Sequence, residues 1–220
     1  MSCGHRIAAS ATAVALVMVL AGGCGIGEGS GEVHSDRLRV ENCWDGPYDM
    51  APDFFAGVPY RSSFQVRVQR GADIQEVSDG LSILINDVHE IRGDNGNASL
   101  LGVPLDVGLP PEVTPPGVPV QPVLSPPTVH MALYLHSTCH QQISALYAVR
   151  GVITFEKLFD GDPQQTSAEE RLTSAAFDVV VADPRKQPPG GGPIPQEHLS
   201  RVTGWFRFYF ERGQPGQPFP

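Results

Sequence analysis

Apolar and polar residues alternate with a period of two along most of the chain, and no window sustains a period near 3.6. Phe64, Val66 and Val68 interleave with Gln65, Arg67 and Gln69; Val129, Met131, Leu133 and Leu135 interleave with His130, Ala132, Tyr134 and His136. Successive strand side chains point to opposite faces, so these runs predict strands with one face on a core and one in water. On that reading His130 and His136 share the wet face about 20 Å apart, too far to hold one metal ion together. Leu81 to Ile91 is apolar enough for a more buried strand, closed by the turn signal Gly-Asp-Asn-Gly-Asn at 93–97. Ile143 to Phe159 is too long for one ordinary strand, and Gly151 inside it marks a bulge or bend.

Arg171, Leu172, Thr173 and Ser174 precede Phe177, Val179 and Val181, much as Arg201, Val202, Thr203 and Gly204 precede Phe206, Phe208 and Phe210. Two such copies predict neighbouring strands of a meander, not a solenoid. Phe206, Phe208 and Phe210 should lie together on a buried face. Nine prolines between Pro104 and Pro127 forbid a central strand or helix there, leaving edge pieces such as Val118–Val120. Pro184 to Pro195 reads as a second long loop. Helix is confined to a turn or two near Ala51–Ala56 or Thr166–Leu172. The fold class expected is therefore mainly β: an antiparallel β-sandwich, or alternatively a closed β-barrel, with long Pro/Gly-rich loops.

Composition bounds the partners. The 220 residues include 15 Lys and Arg against 24 Asp and Glu, a net charge of −9, with no basic stripe to neutralise phosphates. Nucleic acid is excluded as an expected partner.

Residues 1–24 carry Arg6, then an uncharged apolar run from Ile7 to Ala21, then Gly22, Gly23 and Cys24. That run, about 15 residues, falls short of the roughly 20 that a membrane-spanning helix needs, and it reads as an export signal. Leu20-Ala21-Gly22-Gly23-Cys24 resembles the lipobox of bacterial lipoproteins. The resemblance implies a signal peptide over 1–23, cleavage before Cys24, a lipid anchor on Cys24, and residence in the bacterial cell envelope. Gly25, where inner-membrane retention usually shows Asp, further implies the outer membrane. Residues 24–35, rich in Gly and without apolar period, are expected to form a flexible tether, followed by one β-rich domain over 36–212 and a disordered tail over 213–220.

With Cys3 removed and Cys24 acylated, Cys43 and Cys139 remain, and in an oxidising compartment they are expected to form a disulfide. The nearby run His136-Ser137-Thr138-Cys139-His140 lacks the second spaced pair of a zinc site. The richest chemical patch is Cys43 to Tyr60, where Trp44, Asp45, Tyr48, Asp49 and Asp53 are a candidate ligand surface. Aromatic faces stack on sugar rings and carboxylates accept their hydroxyls, although the same aromatics also suit packing against the disulfide. Asp160 and Asp162 form a weak calcium candidate, because the distal Glu of an EF-hand loop is missing. Arg92-Gly93-Asp94 spells an adhesion tripeptide of little weight in such a chain. No nucleophile elbow or assignable triad is present. The expected function is that of a lipid-anchored, non-catalytic envelope protein without a cofactor, held to the membrane by its anchor and presenting a surface to an envelope protein or glycan. A carbohydrate- or calcium-binding module is the alternative, and an enzyme ranks last.

Overall fold

The computed structural model describes residues 29–71, 78–94, 96–110, 113, 128–140, 145–160, 171–189 and 192–210. In chain order these form β1 (Gly29–Val40), β2 (Trp44–Met50), β3 (Phe54–Tyr60), β4 (Ser63–Gln69), β5 (Asp79–Ile85), α1 (Val88–Arg92), β6 (Leu105–Asp106), β7 (Val129–Leu135), β8 (Ala145–Lys157), β9 (Leu172–Ala182) and β10 (Ser200–Tyr209). The architecture is mainly β and antiparallel, as the alternation requires.

The strands of the described residues join one sheet in the order β2-β1-β10-β9-β8-β7-β5-β4-β3, with the short β6 on β8. From β3 to β10 each strand pairs with the next in sequence, apart from the excursion that carries α1 and β6; β10 then returns to β1. The two outermost strands, β2 and β3, are joined by residues 51–53 alone. That link spans at most about 14 Å, whereas a flat sheet of this width would hold its edges about 38 Å apart. The sheet therefore curls, forming a half-barrel.

The concave side is filled by aromatic and branched side chains. Phe55 stacks on Phe208 with ring centroids 5.8 Å apart, and Phe159 stacks on Phe210 at 4.4 Å while meeting the edge of Phe64 at 5.5 Å. Phe206, Phe208 and Phe210 are all buried, in the register their spacing predicts. β9 and β10, the two similar segments, pair along their whole lengths.

Four expectations are corrected. The chain is already paired at Gly29, where β1 begins opposite Phe208, so residues 29–35 are strand and not tether, and the folded part starts before residue 36. Gly29 presents no side chain there because Phe55 and Phe208 occupy the space a Cβ would need. Leu81 to Ile91 is not one strand: β5 ends at Ile85, and Asp87 caps α1 by accepting from the His89 and Glu90 amides. Gly93 then ends that helix in the left-handed region, at φ 77°. Residues 51–53 are irregular and Phe54 opens β3, so Ala51–Ala56 holds no helix. Finally, His130 and His136 are buried and not on a wet face. The His130 ring meets the Gly108 carbonyl at 2.9 Å and the Asn86 amide at 3.2 Å, because the chain after β6 covers that side of β7. The segments 114–127, 166–170 and 213–220 lie outside the described residues.

Gly151 is the bend foreseen in the long strand. The β8–β9 register shifts between Ala148 and Arg150, and Gly151 follows at φ 129°, against the Asp178 carbonyl and Val179. A side chain at this position is both strained and obstructed. Gly151→Ala is expected to lose about 1–3 kcal/mol in urea unfolding, with the midpoint falling and the slope unchanged. A midpoint equal to that of the parent protein would contradict the account.

Candidate functional site

The β1–β2 turn at residues 41–43 carries Cys43, with Asn42 in the left-handed region at φ 59° and the Cys43 amide donating to Val40 at 3.0 Å. Across the mouth of the half-barrel, the turn after β7 carries Cys139. That turn is fixed by Asp79 at the start of β5. Its buried carboxylate accepts from the Ser137 amide at 2.9 Å, the Thr138 amide at 3.0 Å, the Thr138 hydroxyl at 2.5 Å and the Tyr48 hydroxyl at 3.2 Å. A carboxylate out of water needs several donors, and this one has them. Burial, with the Asp79 carboxylate alongside, pushes the Tyr48 hydroxyl above the ordinary phenol range. The two cysteines pair with Cα atoms 5.8 Å apart and a dihedral of −95°, both ordinary for a disulfide. The bridge joins strands that are four places apart in the sheet.

Beside this bridge lies a cleft of about 600 Å³, bordered by Arg39, Trp44, Leu146, Asp183, Lys186 and His198. Its charged groups are largely matched in pairs. Lys186 contacts Glu41, Arg185 lies on Asp183 with Nη2 at 2.8 Å, and Arg37 grips Asp45 through two hydrogen bonds of 2.5 and 2.7 Å. The Lys186 contact holds the Glu41 carboxyl below its usual range, and Arg37 does the same for Asp45. At Asp183 burial opposes ionisation, but the Arg185 hydrogen bonds outweigh it and the carboxyl is again lowered.

The five-residue ligand patch does not converge. Along β2, Trp44 and Tyr48 share one parity and Asp45 and Asp49 the other. Tyr48 is 5% exposed and packs in the core, whereas Trp44 is 39% exposed on the cleft, its indole N–H donating to Gly46 at 3.2 Å. Asp49 pairs with His34 on the outer surface, and Asp53 accepts from the Gly71 amide at 2.5 Å. Of the patch, only Trp44 and Asp45 border the cleft. Asp162 lies outside the described residues, so the calcium candidate is represented by Asp160 alone. No cluster of three or more His, Cys, Asp or Glu suited to a metal ion occurs among the described residues. Cys139 is committed to the disulfide, and Arg92 and Asp94 of the adhesion-like tripeptide bind each other at 2.9 Å. No family model, curated protein or solved structure matches the chain.

Sequence reasoning did not find Asp79, Arg185, Lys186 or His198. The last three sit in the 184–198 connection, whose prolines mark a loop but not where it folds back. Nor did it find the bulge of β1 between Ser35 and Leu38. There the β1–β10 ladder gives way to side-chain bonds: the Ser35 hydroxyl donates to the Arg201 carbonyl at 2.7 Å, and Ser200 accepts from the Arg39 amide at 2.9 Å. A second depression of about 490 Å³ opens at this point, with His34 on its border.

Two outcomes follow from this end of the sheet. Replacing both cysteines by Ser should cost about 4–5 kcal/mol, the chain entropy released when a loop of this length is opened. Unchanged stability in the double variant would mean that the bridge does not form. His34 holds Asp49 at 2.6 Å and Asp36 at 3.1 Å, and these hydrogen bonds raise its pKa above the usual imidazole value. The stabilisation is complete below the unfolded value, about 6.5, and is lost as pH rises through the higher folded one. Proton NMR should place the His34 midpoint above that of an unfolded peptide and show it falling in Asp49→Asn.

Proposed function

We propose that the protein is an exported lipoprotein, acylated at Cys24, whose β-rich domain binds a partner in the bacterial envelope and performs no chemistry of its own. The outer membrane is the compartment its residue after Cys24 favours. The observation that carries the non-catalytic reading is the mutual neutralisation of the cleft's charges. A general acid needs a pKa near the working pH, yet Glu41, Asp45 and Asp183 are all shifted away from neutrality by Lys186, Arg37 and Arg185. Such a surface recognises complementary polar groups, and its paired carboxylates are held ionised.

A glycan is the second reading. It rests on Trp44, a large aromatic left in solvent at the border of a polar cleft, where one ring face can stack on a sugar. In a Trp205→Phe background Trp44 is the only remaining tryptophan. A saturable change in its emission with soluble envelope polysaccharide supports this reading, and a flat titration removes it.

The anchor is tested by metabolic labelling with palmitate. Label should enter the parent protein and be absent from Cys24→Ser. Equal labelling of both would overturn the lipoprotein reading.

A further inference from the structure

We infer that the tip of the β3–β4 hairpin, centred on Tyr60 and Arg61, is a second contact with the lipid surface to which Cys24 is anchored. The inference rests on acylation of Cys24 and adds what that acylation does to the domain's orientation.

The argument begins with chain length. Between Cys24 and the first paired residue, Gly29, there are five residue steps, a reach of at most about 18 Å. An acylated Cys24 therefore holds the start of β1 close to the headgroups. Gly29 lies against Phe55 on β3. Strands alternate in direction through the sheet, so β3 runs opposite to β1, and from Phe55 onward it travels the way the chain before Gly29 must go. From Phe55 to Tyr60 is again five residues, about 17 Å at the usual rise of a strand. The hairpin tip thus extends past Gly29 about as far as the link to Cys24 can reach.

What the tip carries suits a bilayer surface. Tyr60 is 67% exposed, the most exposed of the large hydrophobic residues among the described residues, and Val58 beside it is 43% exposed. The Arg61 guanidinium sits 5.6 Å from the Tyr60 ring centroid, and Arg61 takes the left-handed conformation of the turn at φ 55°. An aromatic ring with a basic head over its face matches the interface between acyl chains and headgroups, where Tyr and Trp collect and basic side chains reach outward. The tip is also braced by hydrogen bonds. The Ser63 hydroxyl donates to the Tyr60 carbonyl at 2.9 Å, and the Val88 amide at the start of α1 donates to Ser62 at 2.8 Å. Contact therefore costs little ordering. Arg61 is the one charged residue between Val58 and Ser63, so insertion of the ring, more than attraction to anionic lipid, carries the contact.

The test uses the acylated protein purified from membranes and reconstituted in phosphatidylethanolamine–phosphatidylglycerol vesicles containing lipids brominated near the headgroup. Acylation is verified separately by mass spectrometry. In the triple variant Trp44→Phe, Trp205→Phe, Tyr60→Trp, the tryptophan at position 60 should lose most of its emission to the bromine. Trp44, as sole tryptophan in Trp205→Phe, should lose none, because the cleft lies at the far end of β1. Quenching at position 60 should persist at high salt. A confirmed acyl group without quenching at position 60 overturns the contact while leaving the lipoprotein reading intact. If mass spectrometry finds no acyl group, that reading fails instead. The same chain from residue 24, held on nickel-chelating lipid by an N-terminal hexahistidine tag, then decides the contact by the same quenching, its presence supporting the contact and its absence overturning it.

Discussion

The pairing of β1 with β10 is the constraint on which the remaining geometry depends. Strands β3 to β10 pair in sequence order, interrupted by the excursion that carries α1 and β6, but β1 finds its partner at the other end of the chain, from Gly29 opposite Phe208 to His34 opposite Thr203. Such a closure carries a large loop entropy, though that entropy grows only slowly with length. Once it is made, the β1–β2 hairpin is added to the far side of the meander and the 51–53 link forces the curl. The aromatic interior, the cleft and the bridge across the mouth all follow from that placement. The close seat of Gly29 against Phe55 and Phe208 shows how little room the closure leaves.

How legible each strand was in the sequence follows from how its burial is divided. β4 and β10 bury one face each, so Phe64, Val66 and Val68, and Phe206, Phe208 and Phe210, declare themselves by alternation. β1 begins with Gly-Ser-Gly, and a core-facing glycine leaves no apolar mark, so its first turn of pairing reads as a leash. α1 is a single turn, too short to show a helical period; the Asp87 and Glu90 spacing of a capping box was its one signal. The two histidines of the β7 region misled because alternation reports a wet face only where nothing covers it, and the segment around Gly108 does cover His130.

The site was less legible than the fold. The Cys43–Cys139 pair was legible once the lipobox resemblance set Cys3 and Cys24 aside. The cleft, in contrast, gathers side chains from the β1–β2 turn, the start of β8, the end of β9 and the connection before β10. No spacing in sequence encodes that convergence. Composition placed Trp44, Asp45, Tyr48, Asp49 and Asp53 together, but strand parity separated them, sending Tyr48 to the core and Asp49 to the outer surface.

The bridge also imposes an order on how the molecule matures. Cys139 lies 96 residues after Cys43, and at ordinary synthesis rates that interval lasts about 5–20 s. Throughout it Cys43 is a thiol whose rightful partner has not yet been made, while Cys24 stands upstream as a rival for mixed or misplaced bonds. Any bond that Cys43 makes before Cys139 exists is necessarily non-native, and the native bridge can lock the mouth of the half-barrel only once β7 and the turn after it have been made.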